Sequence, residues 1–392
     1  MVKLFGRTLT RREAMERCGD LSQFAGVRLM TLADGVERGI RMLEFRTGSG
    51  LRFTLLVDRA FDIADCEFKG QAVGWHSPSG FRHPGLHEYE GEHGFAWARS
   101  FSGLMLTCGL DHILGPEETS AETYNYPGRP SIRHALHGRA SFIPARLTGY
   151  GELWEGDRCI LWSEGEVRQA AVFGEDLRLI RRVEADVGGD EIRIFDRVVN
   201  RGFSRTPHML FYHVNIGYPL LDEGARYLAP IADVVWAAHA GADYRRQRVG
   251  YRTAPAPQAN FREQVWEHET AADASGAVRV AVVNDRLELG FEVETKKHQL
   301  PCLYQWQHFQ SGNYVMGVEP SSHHVLGDNA ARERGEMIWL EHEEARSYDV
   351  VFRVLDGPDR IAAAEERIRA VEKQPEEEFP EPSGRFVRLG ER

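Results

Sequence analysis

Apolar residues recur at every second position in short runs along most of the chain, at 39–45, 51–57, 159–162, 177–183 and 191–199. That period puts one face of an extended strand in a core and the other in water. The runs at 178–183 and 192–199 flank Asp186-Val187-Gly188-Gly189-Asp190, whose glycines suit the turn of an antiparallel hairpin. Similar runs follow at 278–283, 287–293 and 346–355, and no βαβ alternation interrupts them. The pattern predicts an all-β protein built as a large antiparallel sandwich, not a parallel α/β sheet.

Two helices are expected at the ends. Residues 10–26 open with Thr10 as N-cap and Glu13 in capping-box spacing, with Gly19 or Gly26 as the stop. Residues 358–373 begin at Pro358 and are rich in Ala, Glu and Arg, the composition of a surface helix. The acidic, proline-rich stretch 375–382 reads as an extended or disordered tail. The expected organisation is a helical flank at 1–26, one sandwich domain at 27–357 that binds the ligand, and a helix with its tail at 358–392.

A chain of 392 residues with 42% hydrophobic content can bury a large core. Its 48 Lys and Arg against 59 Asp and Glu leave a net charge of −11 with no basic run, which argues against nucleic acid as a partner. The N-terminal sequence lacks the apolar core of a secretory signal, and no stretch approaches the roughly 20 apolar residues of a membrane span. A cytoplasmic protein that does not engage a membrane is expected, and a homo-oligomer is compatible with the chain. Cys18, Cys66, Cys108, Cys159 and Cys302 are odd in number and form no CxxC pair, so reduced core thiols are expected rather than a disulfide framework.

Against this background three titratable positions stand out. His213 sits in Phe211-Tyr212-His213-Val214-Asn215-Ile216, where an imidazole among apolar neighbours is either a core histidine bonded to backbone or an acid/base group, with Asn215 placed to orient a polar partner. Glu319 follows Tyr314-Val315-Met316-Gly317-Val318, and Pro320 is expected to end the strand after it. A carboxylate so placed can acquire a raised pKa, or can be an exposed residue in a salt bridge. His137 lies in Leu136-His137-Gly138-Arg139, where the glycine permits close backbone approach to a ligand and Arg139 offers a forked donor.

The order of these motifs, a His-Gly pair, then a histidine strand, then a late glutamate, resembles the aldose 1-epimerase or galactose mutarotase superfamily. The likeness is strongest to a bacterial branch of functionally unassigned aldose-epimerase-like proteins. Its phrases are echoed by Val57-Asp58-Arg59-Ala60-Phe61-Asp62-Ile63, Thr107-Cys108-Gly109-Leu110-Asp111-His112 and Leu300-Pro301-Cys302-Leu303-Tyr304-Gln305-Trp306. The resemblance covers about residues 25 to 355 and implies a β-supersandwich. It also implies that His137 contacts the sugar ring oxygen, that His213 is the general acid and that Glu319 is the general base. Two features depart from the family pattern: its Asn-Arg pair ahead of the His-Gly motif is not evident, and Arg139 replaces a second glycine.

Opening a sugar ring requires a proton to leave the anomeric hydroxyl while another reaches the ring oxygen, so an acid and a base are expected to face each other across a small carbohydrate. Arg59, Asp111, His112, Arg139 and Asn215 are candidate substrate contacts, and Trp306, Trp75 or Phe81 could stack on the sugar face. For Arg59 a salt bridge to Asp58 or Asp62 is the alternative. No cofactor is needed for this chemistry, and no metal is expected. Sixteen histidines, with His323-His324 just after Glu319 and with His208, His298 and His308, keep open a metal-dependent lyase or isomerase acting on a keto sugar. No HExxH spacing supports it, and ligands would have to assemble from separate strands. A non-catalytic carbohydrate-binding protein is the third possibility.

Overall fold

The hairpin with the Gly188-Gly189 turn forms the middle of one sheet. Strands Asp176–Asp186 and Glu191–Asn200 pair antiparallel, with Glu184 opposite Arg193. Gly188 has φ +81°, and a Cβ there would stand 2.2 Å from the Lys3 carbonyl oxygen, so both conformation and space require glycine. Around this pair runs an eight-stranded sheet in the order Arg146–Glu155, Arg158–Ala170, Asp176–Asp186, Glu191–Asn200, Ala345–Asp356, Leu289–Lys296, Ala277–Asn284 and Arg226–Leu228. The structure, a computed structural model, describes residues 1–125, 128–237, 246–373 and 381–384.

A twelve-stranded sheet packs against the first. Its main path runs Ile231–Ala237, Gln264–Thr270, Cys302–Gln310, Asn313–Ser321, Thr206–Ile216, Met105–Leu110, Asp62–Phe68, Leu51–Leu56, Arg41–Arg46 and Gly26–Thr31. Leu179, Val183, Ile194 and Phe352 of the smaller sheet share one core with Leu55, Tyr212, Val214 and Val318 of the larger. This is the antiparallel sandwich that the alternation predicts.

The strand Thr206–Ile216 is buried along its whole length. Leu210, Tyr212, Val214 and Ile216 enter the core between the sheets. Met209 and Phe211, pointing the other way, join a second apolar cluster with Trp75, Trp97, Phe101 and Tyr304. Loops between residues 75 and 142 cover that outer face, which is why the strand carries apolar residues on both sides.

The termini differ from expectation in extent. The N-terminal helix spans only Arg11–Met15; its Thr10–Glu13 capping box forms, but Ala14 is its one buried residue, so no apolar stripe carries it further. Asp20 then caps a short 3-10 turn, Leu21–Gln23, and a hairpin of Val2–Leu4 with Arg7–Leu9 precedes the helix. The C-terminal helix spans Pro358–Arg369 and lays Ile361, Ala364 and Ile368 on Leu228, Ala281, Val283 and Leu355. Of the expected tail, positions 375–380 lie outside the described residues. Among the described residues no helix is long and apolar enough to cross a membrane, and all five cysteines are buried and free.

Candidate functional site

Strand register places the central pair. Phe211 pairs with Ser321 and Val214 with Val318, which sets His213 directly opposite Glu319 on the outer face of the larger sheet. His213 Nε2 lies 3.1 Å from Glu319 Oε1, and both residues are about 5% exposed. Pro320 does not end the strand as expected. It pairs in register with Leu303, and the strand continues to Ser321 opposite Cys302, because a proline removes one donor from one side of a ladder and leaves the other side intact. Gly317 makes room for the carboxyl group: a Cβ there would fall 2.4 Å from Glu319 Oε1.

His137 reaches the same place from a loop. It adopts a left-handed conformation (φ 58°), and its Nδ1 accepts the Leu114 N–H at 3.3 Å, which leaves the proton of the neutral ring on Nε2. Gly138 has a different use from the one expected. Its Cβ would stand 2.4 Å from the Gly109 carbonyl oxygen and 2.7 Å from that of His112, so the glycine lets the loop lie against its own backbone, not against a ligand. The His137 and His213 ring centres are 5.9 Å apart.

These three residues line a cleft of about 610 Å³. Its walls are aromatic: Trp97 stacks on Phe101 at 4.1 Å, Phe101 meets the His213 ring edge-on at 4.7 Å, and Trp306 lies 5.4 Å from His213. Trp75 also lines it, with Glu263, His308, Asn313, Ser77 and Ser79 as polar positions. Among the described residues no lysine or arginine lines the cleft.

Burial dominates the electrostatics. It pushes the Glu319 carboxyl well above the ordinary carboxylate range, with the Glu263 charge adding to the shift. The His213 imidazole is lowered to about 3 by the same loss of solvent, with the Asn215 side chain opposing it. His137 is lowered well below its usual value by burial, then by the neighbouring His213 and His112. Loss of solvent thus favours the uncharged form of each group, a protonated carboxyl beside a neutral imidazole. Glu319 Oε1 and His213 Nδ1 are buried atoms without hydrogen-bond partners among the described residues. Buried polar atoms left unpaired at the floor of a cleft are what a polar ligand satisfies.

The other sequence candidates lie elsewhere. Arg139 Nη1 contacts Glu175 Oε1 at 2.8 Å, and its guanidinium covers Tyr89, so it is locked into a structural network. Asp111 and His112 belong to a buried cluster in which the His112 and His134 rings stack at 4.6 Å and His112 Nδ1 lies 3.3 Å from Glu117. Arg59 is fully buried; among the described residues its side chain hydrogen-bonds only to the Ser141 carbonyl, at 3.5 Å through Nε, and forms neither of the salt bridges considered for it. Asp58 pairs with Arg41, and Asp62 with Arg181. Asn215 donates to the carbonyls of Gly103 and His213, so it braces the strand from within. Phe81 packs in a separate apolar cluster. His324 contacts Glu267 and Cys302 and not the His213–Glu319 pair, so the metal cluster considered around those residues does not assemble.

Sequence reasoning missed Trp97, Phe101, Glu263 and Asn313, and named His308 only as a possible metal ligand. The period-two continuation Tyr304, Trp306, His308 along one strand could have placed His308 on the cleft face. The covering loop that supplies Trp97 and Phe101 has no periodic signal.

The geometry can be set beside known proteins. A Klebsiella pneumoniae protein named as a candidate aldose 1-epimerase superimposes with a TM-score of 0.80 at 24% identity, covering 88% of each chain. A galactose mutarotase-like protein from Clostridium acetobutylicum gives 0.54 at 11% identity over 85% of this chain and 99% of its own. A galactose mutarotase related enzyme from Lactobacillus acidophilus gives 0.53 at 12% over 79% and 96%. These likenesses establish the galactose mutarotase-like sandwich fold. No curated protein matches the sequence. Residues 37–354 match one family along most of the chain, and the protein belongs to that family, described as a domain of unknown function, DUF4432.

Proposed function

We propose that this protein is a cofactor-independent sugar isomerase of the aldose 1-epimerase type, acting on an uncharged free sugar. The observation that carries the reading is the His213–Glu319 pair, 3.1 Å apart and short of hydrogen bonds, at the floor of an aromatic cleft. A volume of about 610 Å³ suits a sugar of one or two rings, and indole faces suit the apolar face of a pyranose.

The closeness of the pair fits the reaction better than the expectation that acid and base face each other across the sugar. The anomeric hydroxyl and the ring oxygen are bonded to the same carbon, so the groups that exchange protons with them belong side by side. In ring opening, one member of the pair takes the hydroxyl proton as the C1 carbonyl forms. The C1–O5 bond breaks, and the other member delivers a proton to O5. Rotation about C1–C2 and the reverse steps give the other anomer, with no net change in protons. Burial favours the proton on Glu319 at rest; the acid role that the resemblance implies for His213 corresponds to the same proton moved to the imidazole. His137, with Nε2–H as its donor, is suited to hold a sugar oxygen.

Among the described residues no lysine or arginine lines the cleft, which favours a neutral sugar over a uronate or sugar phosphate. The test is magnetisation-transfer NMR between anomers for a panel of neutral aldoses, uronic acids and sugar phosphates. Accelerated exchange is expected for a neutral aldose, and a protein that accelerates none of the panel would reject the reading.

A further inference from the structure

A second polar cluster lies on the same sheet face, beyond the sugar cleft. Register aligns Glu267, Tyr304 and Glu319 across three adjacent strands, so Tyr304 stands between Glu267 and the His213–Glu319 pair. Next to Glu267, Cys302 begins the neighbouring strand and His324 follows the next. Their ligand-type atoms, a carboxylate oxygen, a thiol sulfur and an imidazole nitrogen, all lie within 4.8 Å of one another. They open onto their own cavity of about 440 Å³, lined also by Lys297, His323 and Glu336.

We propose that Glu267, Cys302 and His324 form a binding site for a zinc-like divalent transition metal, with its remaining coordination position open to this cavity. Three protein ligands of mixed O, S and N type with one free position are the usual constitution of an open zinc site. Ligands at the ~2.0–2.3 Å typical of zinc sit roughly 3.3–3.8 Å from one another in a tetrahedron. Cys302 Sγ and His324 Nδ1 are 3.7 Å apart. The Glu267 carboxylate rests on the same imidazole nitrogen, so the cation would replace the proton those two groups share. A thiol ligand excludes magnesium and calcium as natural occupants.

Two neighbouring polar groups of the cavity are held by partners of their own. Lys297 Nζ is held by the Pro301 carbonyl at 2.7 Å and by Thr270 Oγ1 at 3.2 Å. His323 is engaged at both nitrogens, by Ser322 Oγ at 2.8 Å and the Glu336 carbonyl at 3.1 Å. A thiol ligates as the thiolate, so metal uptake must release the Cys302 proton and strengthen as pH rises. This site departs from the expectation of no metal and is independent of the sugar chemistry proposed above.

The test uses the full chain, stripped with chelator and titrated with Zn²⁺ by calorimetry and with Co²⁺ by absorption. About one equivalent per chain is expected, with a thiolate-to-cobalt charge-transfer band in the Co²⁺ form. C302S should abolish that band, and C302S and H324A should each weaken Zn²⁺ binding by at least ~10-fold, whereas C18S should bind as the parent does. Absence of stoichiometric uptake, a cobalt spectrum without the thiolate band, or undiminished binding by C302S would each overturn the proposal. The wild-type cobalt spectrum decides the matter even if a variant fails to fold.

Discussion

The Tyr212 hydroxyl donates a 2.7 Å hydrogen bond to Asp196 Oδ2 across the interior between the two sheets, one residue from His213 on the same strand. Asp196 also takes two hydrogen bonds from the fully buried Arg181, at 2.8 and 2.6 Å, and Arg181 Nη1 reaches Thr107 Oγ1 at 2.8 Å. Thr107 in turn donates to Asp62. The strand that carries His213 is thus pinned to the opposite sheet by a closed polar network.

Asp196→Ala is expected to lower unfolding free energy by about 3–5 kcal/mol, since it leaves the Arg181 charge buried without its main partner. Urea denaturation measures this directly. A loss below about 1 kcal/mol would mean that the network contributes little to holding the strand.

Glu319→Gln should reduce anomer exchange by about 10²-fold or more, and His213→Asn likewise, because each removes proton transfer while keeping approximate size. Unchanged exchange in both would reject the acid/base assignment.

The same two substitutions should affect stability in opposite pH ranges. The folded-state pKa of Glu319 lies above its unfolded value, so stability is lost as pH rises past about 4.5 and the unfolded chain ionises first. The Tm of Glu319→Gln relative to the parent should therefore climb as pH rises above about 4.5. His213 has a folded-state value of about 3, so stability is lost as pH falls below about 6.5, and His213→Asn should flatten that acid side. Tm profiles of the three proteins by scanning fluorimetry check both signs.

Two glycines should fail differently. Gly138→Ala meets backbone oxygens at 2.4 and 2.7 Å in a left-handed conformation, so it should cost a few kcal/mol and displace His137. The closest atom to Gly317→Ala is the end of the Glu319 side chain, at 2.4 Å, which can swing away. That variant should lose at least ~10-fold in kcat while changing stability by less than about 1 kcal/mol. Denaturation and exchange rates on both proteins separate the two outcomes.

Arg139→Met and Trp306→Ala distinguish a structural residue from one that lines the cleft. The arginine change should lower Tm by several degrees and leave KM for the sugar within about 2-fold, because Glu175 loses its ion-pair partner and neither residue lines the cleft. The tryptophan change should raise KM by roughly 10-fold, about 1.4 kcal/mol, through lost stacking on the sugar face. Steady-state kinetics on the two variants would expose a reversal.

Period-two alternation was enough to determine the antiparallel sandwich and the hairpin at Gly188-Gly189, because side-chain direction along a strand is a local property. Helix starts were equally local: the Thr10–Glu13 box and Pro358 mark the observed first turns. Helix ends were not, since they depend on whether an apolar stripe finds a surface to cover. The sequence order of motifs also singled out His137, His213 and Glu319, which line one cleft.

Only the tertiary structure decided which polar residues share that space. Arg59, Asp111, His112 and Arg139 carry donors and acceptors suited to a sugar, yet their partners come from sequence-distant segments such as Ser141, His134, Glu117 and Glu175, which turn them inward. The assembly of Glu267, Cys302 and His324 likewise depends on strand register between distant segments. A side chain's type and its face on a strand are set by its neighbours in sequence; its companions are set by register and sheet packing, which couple positions that no local pattern connects.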